Sequence, residues 1–530
     1  MQANTAGRAR RRVYIAAAAA IIVIVLVTAV AAGSVFGKSP GAISTSSGLG
    51  SVSGTSTTST GSGAVSTSSV STLSTSSDSS VSSSESTTTS TGSTGSAGSS
   101  GDWITYHGGN SRDGSDASLP GVTSPSLGWK TAVDAPVYAE PLSYDGSVFA
   151  ATENDTVYSI SAATGAVQWS DHLGTPVDSS VPPYTCDGGD HPTLYPTIGI
   201  TSTPVIDPST GTIYVVALVS GTGYHLFALD TGSGQVRWTT PVGAPGLNST
   251  DQEQRGALAM ANGMVYIPFG GFSLVCTGIP HGWVLAYSLA NNGTHYSYEV
   301  PSTGEADVWE PEGISVDSAG YLYIVTGDST ATTAQPFDYG VSVIKLSPKL
   351  AVVGYFSPSD YLTLDQNDMD LSTTGATLLP NNLVFSIGKE GVGYLLNSSD
   401  LGGVGGQLAS LQVCPTGGAW GATAYFAGVV YVPCSDGLDA VAVNGGSHPG
   451  LTSLWNVTGF FAGPPIIAAG AVWTFDIFNG TLFALNPQTG AVIAKVSDLP
   501  ENSLAHFATP SVGYGLILFA GNDTVYGLDP

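Results

Sequence analysis

The stretch LFALDTGSGQVRW, residues 226–238, reads as a strand, a tight turn and a second strand ending on a tryptophan, and the chain repeats it. An earlier copy is VYSISAATGAVQW (157–169). A later one, LFALNPQTGAVIA (482–494), has lost the tryptophan, and a shortened form, TVYGLDP, occupies 524–530. A strand–turn–strand unit cannot bury its apolar face alone, so the copies must stack on one another. Between them, short runs of Val, Tyr, Ile and Phe alternate with Gly, Asn, Asp and Pro turns, the signature of an all-β fold.

The cycle is visible in AEPLSYDG, SVFAAT, TVYSIS and AVQWS, and can be followed through eight units over residues 102–530. Four antiparallel strands per unit, arranged radially, give an eight-bladed β-propeller, which leaves only short sheet edges. A linear stack would need polar capping repeats, and none is visible. The last unit stops at its third strand, while LGWKTAV (127–133) carries a tryptophan, Trp129, where outer strands carry Trp169 and Trp238. The expected closure pairs 127–133 with 524–530.

Ahead of the repeats the composition changes twice. Residues 13–32, VYIAAAAAIIVIVLVTAVAA, are uncharged and long enough to span a bilayer, and Arg8, Arg10, Arg11 and Arg12 precede them. The expectation is a cytoplasmic basic tail (1–12), a transmembrane signal anchor (13–32) and export of everything beyond it. The small residues at 29–31 offer the alternative of a cleaved signal and a secreted protein. Residues 33–101 are dominated by Ser, Thr and Gly and are expected to form a disordered stalk. A net charge of −26 excludes nucleic acid as a partner. The remaining partners are the membrane, a small polar ligand or an extracellular protein.

Four cysteines, Cys186, Cys276, Cys414 and Cys434, follow the apolar segment. In an oxidising compartment they suggest two disulfides. Their places in the repeats pair Cys414 with Cys434 and Cys186 with Cys276. Glycosylation sequons occur at Asn154, Asn248, Asn292, Asn397, Asn456, Asn479 and Asn522, several of them also ordinary hairpin-turn sequences.

The pattern Ala228, Asp230, Ser233, Gly234, Trp238 resembles the pyrroloquinoline quinone (PQQ) repeat of eight-bladed quinoprotein-like propellers. The resemblance runs over 102–530, including the opening GDWITYHGGNSRDG. It implies that the tryptophan packs between blades and that the glycine makes the turn. That superfamily includes dehydrogenases and the non-enzymatic BamB-type outer-membrane assembly lipoprotein, so the fold leaves the activity open. GKEGVGYLL (388–396) is similar to a family segment whose lysine approaches the cofactor, which makes Lys389 a candidate. VTGDS (325–329) is similar to a calcium-ligating segment and puts forward Asp328, a competent hard-cation ligand. Asp338 falls where the family places its catalytic base.

Inner-strand starts and the loops feeding them surround one mouth of a propeller. Read unit by unit, they give Glu140, Thr201, Arg255, Trp309, Glu310, Glu312, Asp368, Asp370, Trp420, Phe461 and His506. Arg255, Trp309, Lys389 and Trp420 are the candidate cofactor-binding residues, Asp328 the candidate metal ligand and Asp338 the candidate base. Against PQQ and calcium stand three departures. No two cysteines are adjacent, no haem-attachment sequence is present, and Tyr138 occupies an acidic position of the family while Glu140 is shifted next to Pro141. The leading expectation is a membrane-anchored binding or interaction scaffold. The alternative is a divergent PQQ- and calcium-dependent alcohol or sugar dehydrogenase.

Overall fold

The computed structural model describes residues 101–530 except 182–183, 185–195, 273–278, 292, 334–335, 498 and 500–506. The expected tail, anchor and stalk, Cys186, Cys276, Asn292 and His506 lie outside the described residues. Among the described residues no helix is long and apolar enough to cross a membrane.

Residues 126–132 and 142–529 form an eight-bladed β-propeller. Blade 1 comprises Leu142–Tyr144, Ser147–Ala151, Thr156–Ser161 and Val167–His172, innermost strand first. Blades 2 to 7 occupy 205–241, 259–299, 315–357, 377–412, 424–458 and 466–496. Blade 8 joins Ser511–Gly513, Leu516–Gly521 and Thr524–Asp529 to Ser126–Ala132, which pairs antiparallel with Thr524–Asp529 from Ala132 opposite Thr524 to Ser126 opposite Asp529. The expected closure is the one observed.

Burial explains the two kinds of strand sequence. Ser147–Ala151 is buried throughout, because neighbouring blades cover both of its faces. The outer strand Val167–His172 keeps alternate residues in solvent.

The repeated phrase is the joint between blades. In blade 2, Asp230 Oδ1 accepts from the backbone N–H groups of Gly232 and Ser233 and from the Ser233 hydroxyl, which fixes the turn. Asn486 does the same in blade 7 for Gln488 and Thr489. The turn glycines Gly165, Gly234 and Gly490 have φ of 71°, 75° and 70°. A tryptophan from the preceding blade lies against each: Trp129, Trp169 and Trp455. A Cβ at those glycines would fall 2.6–2.8 Å from that tryptophan's side-chain atoms, so only glycine fits. The indole N–H groups donate to Ala162, Thr231 and Pro487 carbonyls at 2.8, 2.9 and 3.0 Å. Trp455 was not singled out from the sequence. Trp238 leans instead on Tyr214 of its own blade.

Residues 102–122 plug the centre of the ring. Backbone carbonyls of Trp103, Ile104, Asn110, Ser111, Asp113 and Gly114 accept in turn from Ser143, Ile206, Val316, Leu378, Tyr425 and Ile467. These are innermost-strand amides of blades 1, 2, 4, 5, 6 and 7. Blade 3 is held through Arg112 Nη2 and the Leu258 carbonyl, 3.0 Å apart, and blade 8 through the Tyr514 hydroxyl on Asp102, at 2.6 Å. Arg112 is fully buried and also donates to Thr105 Oγ1, the Tyr106 carbonyl and the Ile314 carbonyl.

Buried glutamates surround that guanidinium. Burial pushes Glu312 up to about 8 against the pull of Arg112, and it holds Glu140 and Glu310 well above the usual range. On blade 6, burial and the neighbouring Asp436 push Asp439 up to about 7. Each of these carboxyls binds its proton more tightly folded than unfolded. The stability they contribute is therefore complete below the unfolded-state values and is lost as pH rises through about 8. The melting temperature is expected to fall by about 5 °C or more between about pH 5 and about pH 8.5. A melting temperature that climbs across that window would contradict this burial.

Candidate functional site

Turns between second and third strands, and connections between blades, open on the face away from the turns that hold Asp102 and Tyr514. On this upper face, among the described residues, a polar cluster forms where blades 4, 5 and 6 meet. Asp370 is its hub. The Asp370 carbonyl accepts the Lys389 N–H at 2.9 Å, and its Oδ1 accepts the Asp328 N–H at 2.6 Å. Its Oδ2 lies 2.5 Å from Lys389 Nζ, which also pairs with the exposed Asp368. Two glycines permit this closeness. A Cβ at Gly388 would sit 2.2 Å from the Asp370 carbonyl oxygen, and one at Gly327 would sit 2.5 Å from Asp370 Oδ1.

Trp420 completes the cluster, its ring centre 5.8 Å from Lys389 Nζ. The disulfide Cys414–Cys434, expected from the sequence, is formed with Cα atoms 5.4 Å apart. It closes the loop carrying Trp420, whose N–H donates to Pro433 and whose indole N–H donates to Gly417. The cross-link thus fixes the tryptophan beside the lysine.

Carboxylate oxygens of Asp328, Asp368 and Asp370 lie within 4.8 Å of one another, a hard-oxygen set of the kind that takes calcium. Burial raises the Asp328 carboxyl to about 9, reinforced by its hydrogen bond and repulsion with Asp370. Asp370 feels the same burial, but the Asp328 hydrogen bond and the Lys389 charge outweigh it and hold the carboxyl below its ordinary value. For Lys389, burial is likewise outweighed, and the two carboxylates raise its pKa.

A cationic and aromatic group adjoins this cluster. The Arg255 guanidinium lies 4.9 Å from the Trp309 ring centre and 5.6 Å from that of Phe507, and its Nε donates to the Trp309 carbonyl. Phe507 links the two groups, since a Cβ at Gly421, next to Trp420, would be 3.5 Å from its ring. Asp307 links them electrostatically. Burial pushes it up to about 7, with Asp370 and Glu305 adding to the rise and Arg255 opposing it.

The other candidates sit elsewhere. Asp338 accepts weakly from Thr303 Oγ1 and the Gly340 N–H, both at 3.4 Å. It neighbours Asp365, which feels both Asp338 and Asp370, so it stands one residue removed from the hub. Glu140 is not at the mouth: it lies under the plug and accepts from Trp103 Nε1 and the His107 N–H. Glu312 is buried against Gly375 and Thr377, Glu310 is fully buried, and Thr201 faces Glu153. Phe461 packs edge-on against Phe478. Asp307 and Phe507 were missed in the sequence, where each is a single residue in a loop without periodicity. Of the sequon asparagines, Asn154, Asn248 and Asn479 donate to nearby aspartates as turn formers. A separate polar cavity of about 360 Å³ opens on the plug, lined by Asp102, Trp103, Ser111, Asp113 and Asp116, away from this chemistry.

The family model described as outer membrane protein assembly factor BamB matches residues 66–335. No curated protein matches the chain. Among solved structures, the chain is similar to the quinohemoprotein alcohol dehydrogenase ADHIIG of Pseudomonas putida, at 16% identity and a TM-score of 0.61, covering 81% of this chain and 80% of that one. It is similar to the quinohemoprotein alcohol dehydrogenase of Comamonas testosteroni at 15% identity and 0.59, with 81% and 80% covered. A europium-containing methanol dehydrogenase aligns at 14% identity and 0.58, over 82% of this chain and 98% of that one. Likeness at this level of identity speaks for the fold alone.

Proposed function

This chain belongs to the PQQ-repeat, BamB-type propeller family, and from that premise we propose that it is a membrane-anchored extracellular scaffold whose upper mouth binds a small polar ligand. In this reading residues 1–12 stay in the cytoplasm, 13–32 anchor the chain, and 33–101 form a stalk that holds the propeller off the surface. The sequons on the propeller then face a compartment in which they can be glycosylated.

One observation carries the reading. Lys389 is already paired with Asp370 and Asp368 beside Trp420, so the mouth is an assembled surface of paired charges. Aromatic faces flanking fixed carboxylates and cations suit a polyhydroxylated or anionic ligand. Asp328, Asp368 and Asp370 fit a hard cation by donor chemistry.

The residues do not fit a stacked quinone. The Trp309 ring carries the Arg255 guanidinium and leans on Phe507, and the Trp420 ring carries Lys389. A planar cofactor would have to displace a paired cation to stack on either of those faces. The disulfide at the mouth joins cysteines 20 residues apart, not neighbours in sequence. The competing reading, a PQQ- and calcium-dependent alcohol or sugar dehydrogenase, draws its support from the Asp328–Asp370–Lys389 arrangement and the dehydrogenase-like fold.

The reading is tested by calorimetric titration of the purified full-length protein with calcium and then a panel of sugars and polyols. At least one sugar is expected to bind, with affinity reduced roughly tenfold or more in Trp420→Ala and in Lys389→Met, the loss of about 1.4 kcal/mol expected for an aromatic or charged contact. Equal heats for all three proteins would remove the mouth as the binding site.

A further inference from the structure

A second pair of carboxylates stands apart from the mouth, at the turn between the second and third strands of blade 1. Glu153 and Asp155 are 2% and 0% exposed. Glu153 Oε2 accepts the Gly199 N–H at 2.7 Å, with the Thr201 side chain against the same carboxyl, while its Oε1 has no hydrogen-bond partner among the described residues. Among the described residues neither carboxylate oxygen of Asp155 has one. Both side chains converge on Gly199, since a Cβ there would meet Asp155 Oδ1 at 2.7 Å.

The charge that acts on this pair from outside makes it worse. Glu253 faces Glu153 and is itself an acid. Its own cation, Arg255, lies 4.0 Å away with the guanidinium over Trp309 and Phe507. No Lys or Arg acts on Glu153 or Asp155 among the described residues. Two buried carboxylates with three free oxygens and no cation are strongly unfavourable unless a proton or a metal ion neutralises them. The free donors are all hard carboxylate oxygens, which select a hard cation over a thiophilic one. Calcium suits the place better than magnesium, which keeps several waters and demands regular octahedral geometry.

We propose that Glu153 and Asp155 hold a calcium ion at the blade 1 turn, beside Gly199 of the connection into blade 2, whose N–H already donates to Glu153. The site is separate from the Asp328, Asp368 and Asp370 set, and its occupancy does not depend on what the mouth binds.

The test is calcium binding by equilibrium dialysis of the chelator-stripped full-length protein. It compares wild type, the double variant Glu153→Gln with Asp155→Asn, and Asp370→Asn. The double variant is expected to lose one calcium equivalent and the calcium-induced rise in melting temperature that goes with it. Asp370→Asn is expected to keep that equivalent. Unchanged calcium stoichiometry in the double variant overturns the proposal. Infrared spectroscopy of the variant Asp328→Asn with Asp370→Asn, in which the mouth set is removed, covers the case of a Glu153 and Asp155 variant that fails to fold. A protonated-carboxyl component that appears on chelation and vanishes with calcium supports the site. A carboxyl spectrum that calcium leaves unchanged overturns it, because the pair then shares protons instead of a metal ion.

Discussion

Deletion of residues 102–133 is expected to abolish the cooperative unfolding of the propeller. That segment supplies the outer strand of blade 8, so its loss leaves Thr524–Asp529 as an unpaired edge and opens the ring. It also supplies the plug. Six innermost-strand amides, those of Ser143, Ile206, Val316, Leu378, Tyr425 and Ile467, would lose their acceptors. At about 1–3 kcal/mol for each buried group left unpaired, the loss is about 6–18 kcal/mol, as large as the whole stability of a typical domain. Scanning calorimetry of the deleted chain should show no sharp transition. A melting curve unchanged from the full-length protein would refute both the closure and the plug.

Within the plug, Arg112→Met is expected to be the most damaging single substitution, at about 3–5 kcal/mol. The side chain is fully buried, and its guanidinium donates to Ile314, Thr105, Tyr106 and Leu258. Methionine fills the volume but leaves the Ile314 and Tyr106 carbonyls without this donor, leaves Leu258 only the long bond from Thr105, and removes the positive charge that Glu312 and Glu140 face. Glu312→Gln should cost much less, because burial already favours the protonated form of that carboxyl. Chemical denaturation of the two variants compares them directly. Equal losses would show that the guanidinium is not the centre of the plug.

The ring was legible in the sequence because its joint is repeated. A glycine turn met by a tryptophan of the preceding blade recurs at Gly165, Gly234 and Gly490, and each copy carries the same short spacing. Trp455 escaped notice because the loop ahead of it in its own blade, between Asn444 and Gly450, is longer than the repeated turn and breaks its spacing. The plug was illegible for the opposite reason. It occurs once, has no period, and bonds through backbone carbonyls that any residue could supply. Its one diagnostic feature, a buried arginine, looks in the sequence like any surface cation. The short added strands Gln252–Glu253 and Gly403–Val404 are likewise too brief to leave a pattern.

The mouth was half legible. Lys389, Asp328 and Trp420 were picked out and share one cluster, whereas the role of Asp370 as hub depends on close turn packing at Gly327 and Gly388 that spacing does not reveal. Asp338 lies close in sequence to Asp328, but its turn carries it to Asp365, one residue away from the hub. Glu140 precedes an inner strand as expected, yet the plug covers it, a consequence of the same segment that the repeats do not describe.

Binding at the mouth without quinone turnover, as proposed, is tested most directly by one measurement. Purified full-length protein, incubated with PQQ and calcium, is assayed for dye reduction across a panel of alcohols and sugars. No reduction above the protein-free rate is expected. Substrate-dependent dye reduction that requires both PQQ and calcium, and that disappears in Asp370→Asn, would contradict the scaffold reading and establish a dehydrogenase.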